Sequence, residues 1–576
     1  VARFSQNQDD ASPMTLHPLD LAVVLGYLAI TLGLGFAMRK QSSREEFFAA
    51  GRSMGRITVG LSVMATLFSA NSFVMYPSAA YSNSLRVGMA LVAFWMMAPV
   101  VVWVFIPVYS KLNCRTAYEY LEMRFHVSVR CLASALFILL RIAWMAAATY
   151  AASVAIAGIS GIDQYVIIIS LGAVAIAYTM LGGLRAVMWT DVLQFFVFAG
   201  TIVFALGLLI SQSEGGVSGI MSTYFADRDN LLFDFSLDPT LQFGTIAILL
   251  GSFLEGLSAF GADQVAVQRY IAAKDARTSQ SGFGINLLGM AIVLPGLLMI
   301  GMGLFSFFHQ QPAVLVPVLL SELQDPQGDA AREHAVFLES MGDPSGSLAS
   351  SDASATTFEQ NVHGYYENRP DQVRADMLRF KLQDQALAQF VRLKFPPGVV
   401  GLLVAALMAA TMSSIDSGIH SVTTAVIIDF RDRLFPHLRP KTSAGEMLSA
   451  RCLVVIIGAL AITLACFVGQ LGDVFTVAKK TVGAFAAPLL AVFVLGLFIP
   501  RARTTGVFFG TWIGAAFTLW WMSQNPDWFA MWFFPVGFFG SVGLALVLSM
   551  LPLPGNQRSS EPTLTFWEVK RRPPRS

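Results

Sequence analysis

The chain has 576 residues, 55% of them hydrophobic and only 13% charged, with a formal net charge of +1 and a mean hydropathy of +0.60. That composition leaves too little polar surface to cover a water-soluble globule, and a charge this close to zero gives no footprint for nucleic acid. Apolar runs of about 20 residues recur from end to end, each long enough for a hydrocarbon core of roughly 30 Å. They lack the alternation of a barrel strand, so the chain reads as an all-α polytopic membrane protein.

Thirteen transmembrane spans are predicted, at 20–38, 57–81, 87–109, 131–157, 163–181, 187–211, 241–268, 283–308, 397–428, 450–470, 473–499, 505–523 and 528–551. The residues before the first span are polar, so no cleavable signal peptide is expected. The loops RKQSSREEFFAAGRSMGR, KLNCRTAYEYLEMRFHVSVR, QRYIAAKDART, FRDRLFPHLRPK and IPRAR are basic, and they alternate with short or acidic ones. An excess of Lys and Arg marks the cytoplasmic side. The expected organisation is therefore an extracellular segment 1–19, a transmembrane domain 20–551 and a cytoplasmic tail 552–576. A polar insert at 309–394 falls on the extracellular side. The expected location is the plasma membrane. Four cysteines (Cys114, Cys131, Cys452, Cys466) show no spacing that implies a disulfide framework or metal site.

Two spans are interrupted. The second, RITVGLSVMATLFSANSFVMYPSAAYS, has SANS at 69–72 and then Pro77. The seventh, LQFGTIAILLGSFLEGLSAFGADQVAVQRY, has Glu255-Gly256 at mid-depth, then Gly261 and Asp263. Backbone freed from a helix at that depth must find other partners. Either span alone reads equally as a kinked structural helix. Together they stand five spans apart, the spacing at which transporters built on inverted five-helix repeats break the first helix of each repeat to bind ion and substrate.

The ninth span carries AATMSSIDSG at 409–418. Residues three and four apart share a helix face, so Ala410, Ser414, Ser417, Ser421 and Thr424 form one stripe, with Ser413 beside it. Such a stripe serves either close helix packing or, with carbonyls from a broken neighbour, an oxygen cage for a small hard cation. Ionisable residues at membrane depth are costly and call for a role. Asp191 is placed to neutralise a cation or to partner Arg185. Asp416 is placed to serve the cation or pair with a basic neighbour. Glu255 and Arg141 are candidates to pair with each other. Lys479 and Lys480 either snorkel to the headgroups or attract an anionic solute.

The motifs GGLRAVMWTDVLQF (182–195), GADQVAVQRYIAAK (261–274) and FPPGVVGLLVAALMAATMSSIDSGIHS (395–421), with FSANSF (68–73) as a weaker match, resemble the sodium/solute symporters. That family includes the sodium-coupled glucose, proline, iodide, monocarboxylate and multivitamin transporters. The resemblance implies a LeuT-like inverted-repeat core and sodium as the coupled ion. It further implies sodium ligands at the carbonyls of Ala65, Phe68 and Ala410 and the hydroxyls of Ser413 and Ser414. Asp191, in the WTD segment, matches a residue that in some members helps form a second sodium site.

There are departures from the family pattern. Leu67 stands where some members have an aspartate. Gly256 replaces the asparagine of the sugar transporters, followed by Phe260 at an aromatic gate position. Ser72 and Lys479 fall near substrate positions. A cation at 479 and the loss of that asparagine favour an organic anion, such as a monocarboxylate, over a sugar. The expected function is sodium-coupled symport of a small solute by alternating access, by a monomer in the lipid bilayer. A proton-coupled transporter of the same fold is the nearest alternative. A transporter-like sensor would need a longer tail, and no nucleophile–base spacing supports an enzyme.

Overall fold

A computed structural model gives the fold and describes residues 16–41, 43–82, 85–226, 233–324, 362–366, 369–380, 382–383, 385–471, 474–554 and 564–571. Residues 1–15, the central part of the insert (325–361) and most of the tail (555–563 and 572–576), on which the expected extracellular segment, insert and cytoplasmic tail fall, lie outside the described residues. Among the described residues, ten helices are long and apolar enough to cross a membrane. Paired extended backbone among the described residues is confined to a single bridge between Met54 and Ala273.

In chain order, α1 is Pro18–Ala37. α2 (Arg56–Leu67) and α3 (Ala70–Ser82) are the halves of the first interrupted span. α4 (Leu85–Leu112) and α5 (Val127–Ser160) precede α6 (Gln164–Gln212). α7 (Thr245–Ala262) and α8 (Gln264–Ala272) are the halves of the second interrupted span. α9 (Ala276–Gln310), α10 (Val399–Leu434), α11 (Ser443–Gln470) and α12 (Ala478–Phe498) follow, then α13 (Thr504–Gln524) and α14 (Ala530–Met550).

The ten helices and the thirteen expected spans differ at three elements. Each half of the first interrupted span is too short to count alone. α13 is long enough but less apolar than the others. α6 covers two expected spans: its 49 residues would run roughly 74 Å as one rod, more than twice a hydrocarbon core of about 30 Å. The chain turns at Gly183, whose φ of 55° and ψ of −157° suit a residue without a Cβ.

α10 is the core of the molecule. Its apolar window is 89% buried, against 28% for α1 at the periphery. It packs against α1, α2, α5, α6, α8 and α11. Its N-terminus is held by α1, where Asp20 Oδ1 accepts from the backbone N–H of Gly398 and of Gly401, each at 2.7 Å. A buried carboxylate there satisfies orphan donors and favours the positive end of the helix dipole. Gly401 permits the approach, because a Cβ would collide with the Asp20 backbone. The bridge at Met54 ties the start of α2 to the end of α8, with Met54 N–H to Ala272 O at 3.0 Å and Lys274 N–H to Met54 O at 3.3 Å. The two interrupted spans are thus joined at one end and both face α10.

Candidate functional site

α2 stops because Phe68 takes an extended conformation (φ −87°, ψ 113°). The next residue, Ser69, gives its N–H to Ser72 Oγ at 3.3 Å, and Ser72 returns its own N–H to Ser69 O at 2.9 Å. This local serine exchange starts α3 in place of the i→i−4 ladder. It turns the Ser69 N–H away from Ala65 O, which instead receives the Ser413 hydroxyl of α10 at 2.9 Å. Ser413 Oγ also lies 3.0 Å from Ala410 O, and Ser414 Oγ lies 3.4 Å from the same carbonyl.

A cavity of about 10 Å³ borders this cluster, lined in part by Ala65, Phe68, Gln194, Ala410 and Ser413. That is room for about one water-sized sphere. The structure therefore brings Ala65, Ala410, Ser413 and Ser414 together as neutral oxygens, with Phe68 on the cavity wall. This is the donor chemistry a small hard cation takes.

The rest of the α10 stripe does something else: it seats α8. Ser417 Oγ accepts from Arg269 Nη2 at 2.5 Å, Ser421 donates to Gln268 Oε1 at 2.9 Å, and Thr424 Oγ1 accepts from Gln268 Nε2 at 2.9 Å. Arg269 is fully buried, and its guanidinium also reaches Asp191 Oδ2 at 2.8 Å and Ser62 Oγ at 2.7 Å. Ser62 donates to the same Asp191 oxygen at 2.5 Å. Asp191 thus partners Arg269 and not Arg185, which is exposed. Its Oδ1 is buried with no hydrogen-bond partner among the described residues. Asp416 takes hydroxyls rather than a basic neighbour, from Tyr178 at 2.6 Å and Ser417 at 3.0 Å.

The pairing of Glu255 with Arg141 is overturned. Arg141 forks onto Asp263, with Nε to Oδ2 at 2.9 Å and Nη2 to Oδ2 at 2.5 Å. Glu255 takes Lys479, with Nζ to Oε2 at 2.7 Å and to Oε1 at 2.9 Å. Asp263 is also the N-cap of α8, accepting from the Val265 N–H at 2.8 Å, so the residue that breaks the seventh span also starts its second half.

Both ion pairs line a cavity of about 160 Å³ between the broken helices, α5 and α12. Ser72, Gly256, Phe260 and Lys479, the four residues singled out for solute, all line it. Phe260 stands edge-on to Phe94 and Phe283. A Cβ on Gly256 would come within 2.9 Å of the Phe94 ring, so the bare glycine leaves room for that aromatic wall. Gln268, Arg269, Ser62 and Tyr178 were missed in the sequence. For Gln268 and Arg269 the signal was a polar pair inside the half-helix QVAVQRYIA; Ser62 and Tyr178 carried none.

The sequence pattern of the sodium:solute symporter family matches residues 47–323 and 366–514, well over half of the chain. Human sodium-coupled monocarboxylate transporter 1 is 26% identical over 508 residues, spanning 87% of this chain and 72% of that protein. The human sodium/iodide cotransporter is 26% identical over 494 residues, spanning 85% and 67%. The sodium/sialic acid symporter SiaT of Proteus mirabilis is 27% identical over 504 residues, spanning 85% and 87%. Among solved structures, the substrate-bound outward-open state of a Na+-coupled sialic acid symporter aligns with a TM-score of 0.74 at 24% identity. It covers 92% of this chain and 97% of that one, which establishes a shared fold. This multi-pass membrane protein, a transporter rather than an enzyme, with sodium as its coupled ion, belongs to the sodium:solute symporter family.

Proposed function

We propose that the protein is a secondary symporter that carries a small carboxylate-bearing solute, rather than a neutral sugar, with sodium by alternating access. The reading rests chiefly on the Ser413 hydroxyl at 2.9 Å from Ala65 O, which joins the scaffold helix α10 to the carbonyl freed at the first break. A sodium ion held by Ala65 O, Phe68 O, Ala410 O, Ser413 Oγ and Ser414 Oγ would stabilise that junction. Asp191 Oδ1, buried and unpartnered among the described residues, offers an acidic ligand to a second sodium. Arg141 and Lys479 in the 160 Å³ cavity, and relatives named for monocarboxylates and for sialic acid, a sugar that itself bears a carboxylate, support a carboxylate-bearing solute over a neutral one. The basic loops support an N-terminus outside and a C-terminus in the cytoplasm, and we place the protein in the plasma membrane. We take the monomer as the functional unit.

One charge crossing about 100 mV yields roughly 2.3 kcal/mol, and a tenfold sodium gradient adds about 1.4 kcal/mol. One sodium can therefore drive several-hundred-fold accumulation of a neutral solute, whereas a monoanion with one sodium forfeits the voltage contribution. Uptake into proteoliposomes tests the reading. It is expected to require an inward sodium gradient and to be lost in Ser414→Ala and Asp191→Ala. Uptake unchanged when choline replaces sodium would sink the proposal, and uptake driven by a pH gradient alone would establish the proton-coupled alternative.

A further inference from the structure

The 160 Å³ cavity holds two cations, Arg141 and Lys479, and two carboxylates, Glu255 and Asp263; Arg141 contacts Asp263 and Lys479 contacts Glu255. The formal charges of its described lining residues therefore cancel. The two pairs are not equivalent. Asp263 is committed three ways: it accepts the forked Arg141 guanidinium, it caps α8 through the Val265 N–H, and its side chain is only 3% exposed. That pair holds the second break together.

Glu255 and Lys479 lie on different helices, α7 and α12, with side chains 23% and 16% exposed. Glu255 precedes the break at which Asp263 starts α8, so this pair is a separate charged station on a wall that also carries Tyr76, Phe94, Trp144, Ser72 and Ser252. A simple anion drawn to Lys479 would strip Glu255 of its cation inside that wall. Leaving one member of a shielded ion pair without its partner is strongly unfavourable. A solute carrying both charges exchanges with the pair and leaves neither residue alone.

We propose that the solute is amphoteric: its carboxylate is received by Lys479 and its ammonium or quaternary ammonium group by Glu255. This deepens the reading of a carboxylate-bearing solute and rests on it. The carboxylate of the solute supplies the anionic half, and the net charge of the transported molecule is zero.

Matched probes test the proposal on the full-length protein in proteoliposomes. Each set has one carbon skeleton with both charges, the carboxylate alone or the ammonium alone: alanine, propionate and ethylamine; phenylalanine, 3-phenylpropionate and phenethylamine; glycine betaine against acetate. Sodium-dependent thermal stabilisation and competition for uptake are the readouts. In the wild type, the amphoteric member of at least one set is expected to bind about tenfold or more tightly than its simple anion. Glu255→Gln is expected to invert that order while sodium dependence persists, and Lys479→Gln to weaken every carboxylate.

A wild-type preference for the simple anion, or an unchanged preference in Glu255→Gln, overturns the amphoteric assignment and leaves sodium symport of an organic anion standing. Absence of sodium-dependent stabilisation by any carboxylate probe overturns the carboxylate reading itself, and this proposal with it. The wild-type order needs no variant, so a Glu255→Gln protein that fails to fold does not protect the proposal.

Discussion

The two interrupted spans meet the same helix, α10, by opposite means. At the first, between α2 and α3, the break is made and filled by neutral groups: Ser69 and Ser72 exchange hydrogen bonds, and the released Ala65 carbonyl meets the Ser413 hydroxyl. At the second, between α7 and α8, the break is locked by charge. Asp263 caps α8 and grips Arg141, while Arg269 pins α8 to Asp191 and Ser417. Neutral oxygens hold one another weakly and can turn to a cation. Buried ion pairs are costly to leave half-made, and so hold geometry. The first break is built to bind, and the second to keep its shape while it lines the cavity.

Substitutions at the second break should therefore cost stability with or without sodium, and those at the first should act through sodium. The largest effect is expected for Arg269→Met, which leaves Asp191 buried without its cation. A loss of about 3–5 kcal/mol should appear as a collapse in yield and in the melting temperature measured without sodium. Next is Asp263→Ala. It removes the cap of α8, worth about 1 kcal/mol, and leaves Arg141 without its partner. Asp263→Asn should restore the cap portion only, as read by melting temperature in detergent.

Ser413→Ala loses one buried hydrogen bond, about 0.5–1.5 kcal/mol as read by the melting temperature without sodium, and should weaken sodium activation of uptake by more than that. An oxygen contact to a charge is worth about 1.5–3 kcal/mol, or roughly 10- to 100-fold in sodium affinity. If Ser413→Ala lowered stability as much as Asp263→Ala, the contrast between the breaks would fail. The smallest effect is expected for Ser72→Ala, which loses one exposed-to-cavity hydrogen bond at the start of α3, about 0.5–1.5 kcal/mol. Ser72 also lines the solute cavity, so its apparent solute affinity sharpens the comparison.

The breaks themselves were legible because helix weakness is local. SANS, and the run of Glu255, Gly256, Gly261 and Asp263, stand out against apolar surroundings without any knowledge of the fold. The stripe on α10 was legible as a stripe, since side chains at a spacing of three and four share a face. Its division of labour was not. Ser413 and Ser414 turn to the first break while Ser417, Ser421 and Thr424 receive α8. That split depends on which neighbour each turn of α10 meets.

The same limit governed the charges. A sequence shows that Glu255 and Arg141 both need partners, but the ones they found were Lys479, 224 residues away, and Asp263, 122 residues away. Asp20, one more carboxylate in an apolar helix by sequence, caps α10 from 378 residues away at Gly398. Composition, apolar run length and helix-breaking residues determined a helical membrane protein with two interrupted spans, because each acts within a few residues or over the chain as a whole. Only the tertiary structure decided which charges neutralise one another and which oxygens share a cavity. Coulombic and hydrogen-bond energies fall steeply with separation, and separation in a bundle is set by which helix faces pack together, not by position along the chain.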